Sequence, residues 1–423
     1  MNVFVLIIYY FGLISVSKGS VITGFITKKI PKISTKYDPE LTSKSLHEYV
    51  DFTVDPCDNF YEFACGKWIK DKEEKSKNKT SFYYTDKITN FNNFVKEALK
   101  GKYNNESTAI KNIYNLGKKC IQLSGKNKEN CESEIINFGK YAFGILFIKK
   151  NRINSEKHGD YIIIEDMTKR IKEELRLLIE KKDNIFDKES RENLLKKLDE
   201  MEFTRKFDYN DISSVLLMET CYKDIGISES DSIEKVLINI ETLSKMNYTS
   251  GSCGYNIFKY ADYLVDIFLM HLIMVALDLL LAMRFYMLLI IFVFKSVENF
   301  EEKIECFVKQ YSDQKESKTM KNINGSFTLH ENIADNGGLK IAHRAYMKYL
   351  QNIGGEEPKV PGFEDFTSEQ LFFINNGRTS CEHKSKNIIE KQINIDPHAP
   401  IEIRTNLALS NYKPFLNAFN CKI

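Results

Sequence analysis

The sequence predicts a mainly α-helical protein built in two lobes. Its 423 residues exceed what a single hydrophobic core usually fills. From about Phe82 to Met246, apolar residues recur at three- and four-residue intervals, the helical period. Alternating charges fall between them and mark solvent faces.

The chain opens on an apolar run, residues 3–16, VFVLIIYYFGLISV. It is too short to span a bilayer, which takes about 20 apolar residues. Small residues follow at Ser15, Ser17, Gly19 and Ser20. Residues 1–19 therefore read as a cleaved signal peptide and 20–54 as a polar lead-in. An extracellular location follows, with a membrane-anchored ectodomain as the alternative. Sequons at Asn78, Asn105, Asn247 and Asn324 fit a secreted glycoprotein, and nine cysteines fit disulfides. The odd count leaves at least one thiol without an internal partner.

Helical segments follow in order: TDKITNFNNFVKEALKG, STAIKNIYNLGKKCIQL, EDMTKRIKEELRLLIEKK and RENLLKKLDEMEF. A polar stretch, SGKNKEN, separates Cys120 from Cys131. Residues 264–294 form a long apolar run broken by Asp266, His271, Asp278 and Arg284, so no clean membrane span survives. A buried helix pair and a membrane anchor are the two conventional readings of that run. Amphipathic helices resume at ENFEEKIECFVKQY and GGLKIAHRAYMKYL. Shorter elements follow, punctuated by Pro358, Pro361, Pro397, Pro400 and Pro414. The net charge of +2 gives no reason to expect nucleic acid or an anionic membrane as partner.

The chemistry concentrates at Glu331-Asn332-Ile333-Ala334-Asp335-Asn336-Gly337-Gly338. On a helix, Glu331 and Asp335 share one face. That spacing suits a carboxylate zinc ligand with a second carboxylate orienting a neighbouring His ligand. Such a site also needs two His one turn apart, as in H-E-x-x-H. The 423 residues contain no such motif. Taken alone, an E-x-x-x-D pair is more often a solvated helix face or a cap, and a lone His before Pro, such as His398, a turn residue.

Four ordered stretches together resemble the neprilysin and endothelin-converting-enzyme family of zinc metallopeptidases. They are Asp55 to Trp68 (DPCDNFYEFACGKW); Glu331 to Gly338 with Ala342-His343-Arg344-Ala345-Tyr346; Phe366 to Phe373; and His398-Ala399-Pro400 with Arg404, Leu409-Ser410-Asn411 and Ala418 to Cys421. The resemblance implies a neprilysin-like ectodomain with a thermolysin-like catalytic lobe. Residues 55–250 would form a shortened helical lobe and residues 251–423 the catalytic lobe, both incomplete. Zinc is the implied cofactor and short peptides the implied partners. Glu331 matches the third zinc ligand and Asp335 the orienting carboxylate. His398 and Arg404 match the residues that stabilise the oxyanion and hold the substrate backbone. His343 reads as structural or incidental.

The resemblance further implies Cys57–Cys421 and Cys65–Cys381 disulfides. Cys120 is expected to pair with Cys131. Cys306 resembles a cysteine paired to a C-terminal Cys-x-Trp tail, and Cys221 and Cys253 match no named partner. The family places N-Y-G-G-I-G and H-E-x-x-H where this chain has its odd apolar run. Shifted by two nucleotides, codons 270–290 permit both motifs in that order. Residues 264–295 therefore read as an out-of-frame translation of the zinc-binding segment. As written, the chain is expected to be an inactive peptidase homologue or a secreted peptide- or protein-binding pseudopeptidase.

Overall fold

The computed structural model describes residues 39–77, 79–181, 187–201, 214–261 and 298–422. The signal-peptide reading of residues 1–19, Asn78 and the apolar run at 264–295 lie outside the described residues.

Helices dominate what is described. In chain order they are α1 (Pro39–His47), α2 (Phe60–Ser76), α3 (Asp86–Ala98), α4 (Thr108–Lys119), α5 (Gly125–His158), α6 (Asp160–Lys181), α7 (Lys188–Glu200), α8 (Val215–Asp224) and α9 (Ile233–Ser244). After a short turn and the π-helical Asn256–Tyr260 come α10 (Glu298–Ser312), α11 (Leu329–Ile353), α12 (Ser368–Thr379), α13 (Lys386–Ile395), α14 (Ile401–Ser410) and α15 (Lys413–Ala418). The described strands are β1 (Tyr83–Thr85) and β2 (Glu382–Lys384), paired antiparallel with Tyr84 opposite His383. The polar SGKNKEN stretch lies between Cys120 and Cys131. From Gly125 onward it forms the first turns of α5.

Local chemistry explains where these helices begin. Asn59, Ser107, Asp187, Ser214 and Ser232 each accept a hydrogen bond from an orphan backbone N–H in the first turn of the helix they precede. Thr367 and Gln370 form a reciprocal capping box at α12. Gly354, at φ +106°, ends α11 in the left-handed conformation that glycine adopts without steric cost.

The chain divides into two compact units that interleave along the sequence, whereas the sequence reading cut it once, near residue 250. One unit takes residues up to Thr85, then Gly159–Thr204 and Met274–Ile423. The other takes Asp86–His158 and Arg205–Ile273.

In the second unit, Ile110, Ile113 and Leu116 of α4 meet Phe138, Tyr141, Phe143 and Leu146 of α5, with Met218 of α8 and Val236 of α9. Cys120–Cys131 and Cys221–Cys253 are bonded there. The latter pair had no named partners in the sequence reading. Ser107 and the Ala109 N–H at the start of α4 both donate to the Glu219 carboxylate, at 2.6 and 2.9 Å. An anion there also complements the helix dipole.

In the first unit, Phe60, Phe63, Ala64, Cys65 and Trp68 of α2 pack with Phe373 and Ile374 of α12, Leu409 of α14 and Phe415 of α15. The Phe, Leu and Ile side chains among these contribute about 1.5–3 kcal/mol each on burial. Cys57–Cys421 and Cys65–Cys381 are bonded across this core. The Tyr61 hydroxyl donates to the Glu382 carbonyl at 3.0 Å and accepts the Glu382 N–H at 3.1 Å, fastening α2 to β2. A second cluster joins Ile171, Leu175 and Ile179 of α6 and Leu194 and Leu198 of α7 to Ile341, Ala342 and Ala345 of α11. No helix among the described residues is long and apolar enough to cross a membrane.

Candidate functional site

The site is carried by α11, which places Glu331 in its first turn and Asp335 one turn later. The 3.6-residue period puts both carboxylates on one face. Facing them is the segment from Asp396 to Arg404, which ends in the first turn of α14.

Asp335 is buried, and both its oxygens are taken by Arg404. Arg404 Nε donates to Oδ2 and Nη2 to Oδ1, each at 2.6 Å. This is the two-pronged geometry in which guanidinium and carboxylate fit best. Burial pushes the Asp335 carboxyl above its ordinary value, while the Arg404 charge pulls the other way. Burial likewise works against the Arg404 charge, but Asp335 and then Glu331 outweigh it and raise the guanidinium further. We read the pair as ionised, because both carboxylate oxygens accept donors that cannot be removed.

His398 lies between two acids. Its Nε2 is 3.1 Å from Glu331 Oε2, and its Nδ1 is 2.7 Å from Asp396 Oδ1. The His398 backbone N–H also donates to Asp396 Oδ1, at 2.9 Å. Burial disfavours the charged ring, but the bonds to Asp396 and Glu331 more than offset it and push His398 up to about 9. With a carboxylate at each nitrogen, the ring is a donor at both ends.

An amide network backs these pairs. Asn336 Nδ2 donates to the Tyr311 hydroxyl at 3.0 Å and to the Asn332 carbonyl at 2.8 Å. Asn411 Nδ2 donates to Asn336 Oδ1 and Gln310 Oε1, both at 3.0 Å, and Gln310 donates back to Asn411 Oδ1 at 2.7 Å. Helices α10, α11 and α14 are thereby tied together at the site.

All four sequence-predicted site residues, Glu331, Asp335, His398 and Arg404, meet here. Sequence reading missed Asp396, Tyr311 and Asn336. Asp396 had a signal, since an Asp side chain commonly bonds the backbone two residues on, here the N–H of His398. Nothing in the sequence singled out Tyr311. His343 lies elsewhere in the same unit, between Glu369 and the Tyr412 hydroxyl at 2.9 Å each, and stacks on Phe373. Of the sequons, Asn105, Asn247 and Asn324 are exposed. Cys306 is an exposed free thiol.

Zinc does not fit the donors described. A catalytic zinc takes three protein ligands. Among the described residues no group of three or more His, Cys, Asp or Glu side chains is placed to hold a metal ion. Glu331 is instead engaged by His398.

Residues 288–423 match the family model described as Peptidase family M13. Neprilysin-1 of Caenorhabditis elegans is 43% identical over 123 residues, 29% of this chain and 16% of its own length. Membrane metallo-endopeptidase-like 1 of Homo sapiens is 38% identical over 127 residues, and endothelin-converting enzyme 1 of Mus musculus 40% over 126. Each of these matches covers 30% of this chain and 16% of the relative. Among solved structures, the Haemonchus galactose-containing glycoprotein complex is 15% identical at a TM-score of 0.42, covering 90% of this chain and 96% of that one. The Mycobacterium tuberculosis zinc metalloprotease Zmp1 with inhibitor is 15% identical at a TM-score of 0.41, covering 71% and 50%. The ordered Glu331-to-Gly338 motif and the C-terminal relatives agree: the C-terminal segment of this chain, residues 288–423, is similar to the M13 family of neprilysin and the endothelin-converting enzymes.

Proposed function

We propose that this chain is a neprilysin-like zinc metalloendopeptidase homologue that does not itself hydrolyse peptides. One observation carries the reading. Glu331 is the only member of the expected ligand set that the sequence supplies, and its carboxylate is paired with His398. The His pair and the general-base Glu of H-E-x-x-H are absent from the 423 residues. Zinc lowers the pKa of bound water and needs three protein ligands to be held for that work.

The test uses the purified full chain. Metal content is measured by mass spectrometry, and hydrolysis of a quenched fluorescent peptide is followed with and without phosphoramidon. The reading expects substoichiometric zinc and no phosphoramidon-sensitive cleavage. Stoichiometric zinc with inhibitable cleavage would sink it.

A secreted pseudopeptidase that binds peptides is the second reading. It is favoured by the retention of His398 and Arg404 on the face opposite Glu331 and Asp335. Saturable binding of short peptides by fluorescence anisotropy, without turnover, would support it. The out-of-frame reading of residues 264–295 has its own check. A transcript that runs through these codons in the stated frame, with a tryptic peptide covering Leu279–Arg284, would dismiss it.

A further inference from the structure

We propose that Lys318 and His383 form an acid-released latch: a neutral imidazole seats the turn that joins α10 to α11, and a protonated one lets it go. The proposal is independent of whether the chain takes up zinc.

His383 of β2 is 3% exposed. Its ring stacks on Phe82 with centroids 4.7 Å apart, and on Tyr84 at 6.3 Å. The ring edges are left for polar contact. Lys318 Nζ is 3.0 Å from Nδ1, and Ser76 Oγ is 3.2 Å from Nε2. An ammonium has donors and no acceptor, so Nδ1 accepts and carries no proton. The ring proton therefore sits on Nε2 and is given to the Ser76 hydroxyl, which donates in turn to the Glu73 carbonyl at 3.0 Å. That order of donors excludes a serine nucleophile here, because Nε2 has no lone pair to take the hydroxyl proton.

Lys318 is the charge that faces the ring from the turn. On β2 itself, Glu382 and Lys384 pair with each other at 2.8 Å. From the end of α2, Lys79 donates to the Tyr84 hydroxyl at 2.7 Å. Burial, with Lys318 adding to it, lowers the ring to about 4. His398, with a carboxylate at each nitrogen, goes the opposite way. Protonating His383 would set a donor against a donor, and the exposed Lys318 would leave for water.

The turn closes on itself through the Lys315–Asn322 bridge and the Glu316 N–H, which donates to the Lys321 carbonyl at 3.0 Å. Besides the latch, two contacts seat it. Ser317 donates to the Glu402 carboxylate through its N–H and hydroxyl, at 2.8 and 2.7 Å. Lys321 meets Glu390 at 3.5 Å, a surface pair that contributes little. Burial pushes the Glu402 carboxyl up, so acid weakens that contact in the same direction. The turn continues through the buried Ile323 into α11, which carries Glu331 and Asp335. Its release therefore acts on the candidate site.

Latched, the ring titrates at about 4, and free, at its ordinary 6.5. The seat is complete above about pH 6.5 and is lost as pH falls towards 4. The experiment is hydrogen exchange on the full chain at pH 7.5 and 4.5, read as protection relative to an unstructured peptide at each pH. In the wild type, protection at residues 314–323 should fall by about seventyfold at the lower pH, while residues 60–68 of α2 keep theirs. His383→Gln offers Lys318 an acceptor that does not titrate, so its fall should be at least tenfold smaller. Equal wild-type protection at both pH values, a fall in His383→Gln as large as in wild type, or a loss shared by α2 overturns the latch. Should His383→Gln fail to fold, Lys318→Met decides, because it changes only an exposed side chain. There the His383 ring, followed by NMR, should gain threefold or more in proton affinity, and an unchanged affinity overturns the latch.

Discussion

Glu174 of α6 is wholly buried and joined to Arg344 of α11, whose Nε lies 2.5 Å from its Oε2. Lys348, one turn further along α11, reaches the other oxygen at 2.5 Å. Burial pushes the Glu174 carboxyl up, but Lys348 and Arg344 outweigh it and hold it below its ordinary value. The two cations are 36% and 41% exposed, so they can return to water if the acid is lost. Replacing Glu174 with Gln should therefore cost only about 1–3 kcal/mol. Arg344→Met, which leaves the buried acid half-compensated, should cost at least as much. Urea denaturation of the two variants orders them; a Glu174→Gln loss well above that of Arg344→Met contradicts this account.

Gly377 sits where α12 crosses α2. A Cβ there would lie 2.7 Å from the Ala64 Cβ and 2.9 Å from Phe60 Cε1, beside the Cys65–Cys381 bond. Gly377→Ala should destabilise by about 1–3 kcal/mol through overpacking, although alanine is the better helix former. A thermal melt with unchanged or raised Tm would show that the crossing has slack.

His343 and His383 should make the fold sensitive to acid. Burial lowers each to about 4, with Lys318 adding to the effect at His383. Between about 6.5 and 4 the unfolded chain binds protons that the folded chain does not. Stability is thus complete above about pH 6.5 and falls as pH drops towards 4, by at most about 1.4 kcal/mol per pH unit for each ring. Urea midpoints measured from pH 7.5 to 4.5 should decline, and His383→Gln should flatten the slope. An equal slope in that variant would assign the loss to other groups.

Asn256 is 1% exposed, and its side-chain oxygen and nitrogen both lack hydrogen-bond partners among the described residues. It opens the π-helical turn against α5. Replacing both orphan groups by apolar atoms of similar size removes a desolvation penalty of about 1–3 kcal/mol. Asn256→Leu should therefore raise Tm. A fall would point to an ordered water bridging the amide.

Much of the helical layout was legible because periodicity and caps are local. Ser107 before a helical stretch and the Thr367–Gln370 box mark their helices by chemistry a few residues long. Glu331 and Asp335 shared a face by spacing alone. The partners of these acids were less visible, since an ion pair between residues 335 and 404 depends on how two helices dock. Glu173 and Glu174 look alike in the alternating charges of α6, yet one is exposed and the other wholly buried. Only the approach of α11 separates them. The interleaving of the two units escaped for the same reason, because it is written in contacts between distant segments.

The bonds Cys57–Cys421 and Cys65–Cys381 have a topological consequence. They span 364 and 316 positions and close nearly the whole described chain into a covalent ring. One peptide bond hydrolysed anywhere between Cys65 and Cys381 opens that ring without releasing a piece. A singly nicked molecule should run as one band on a denaturing gel and part into two only when a reductant is added.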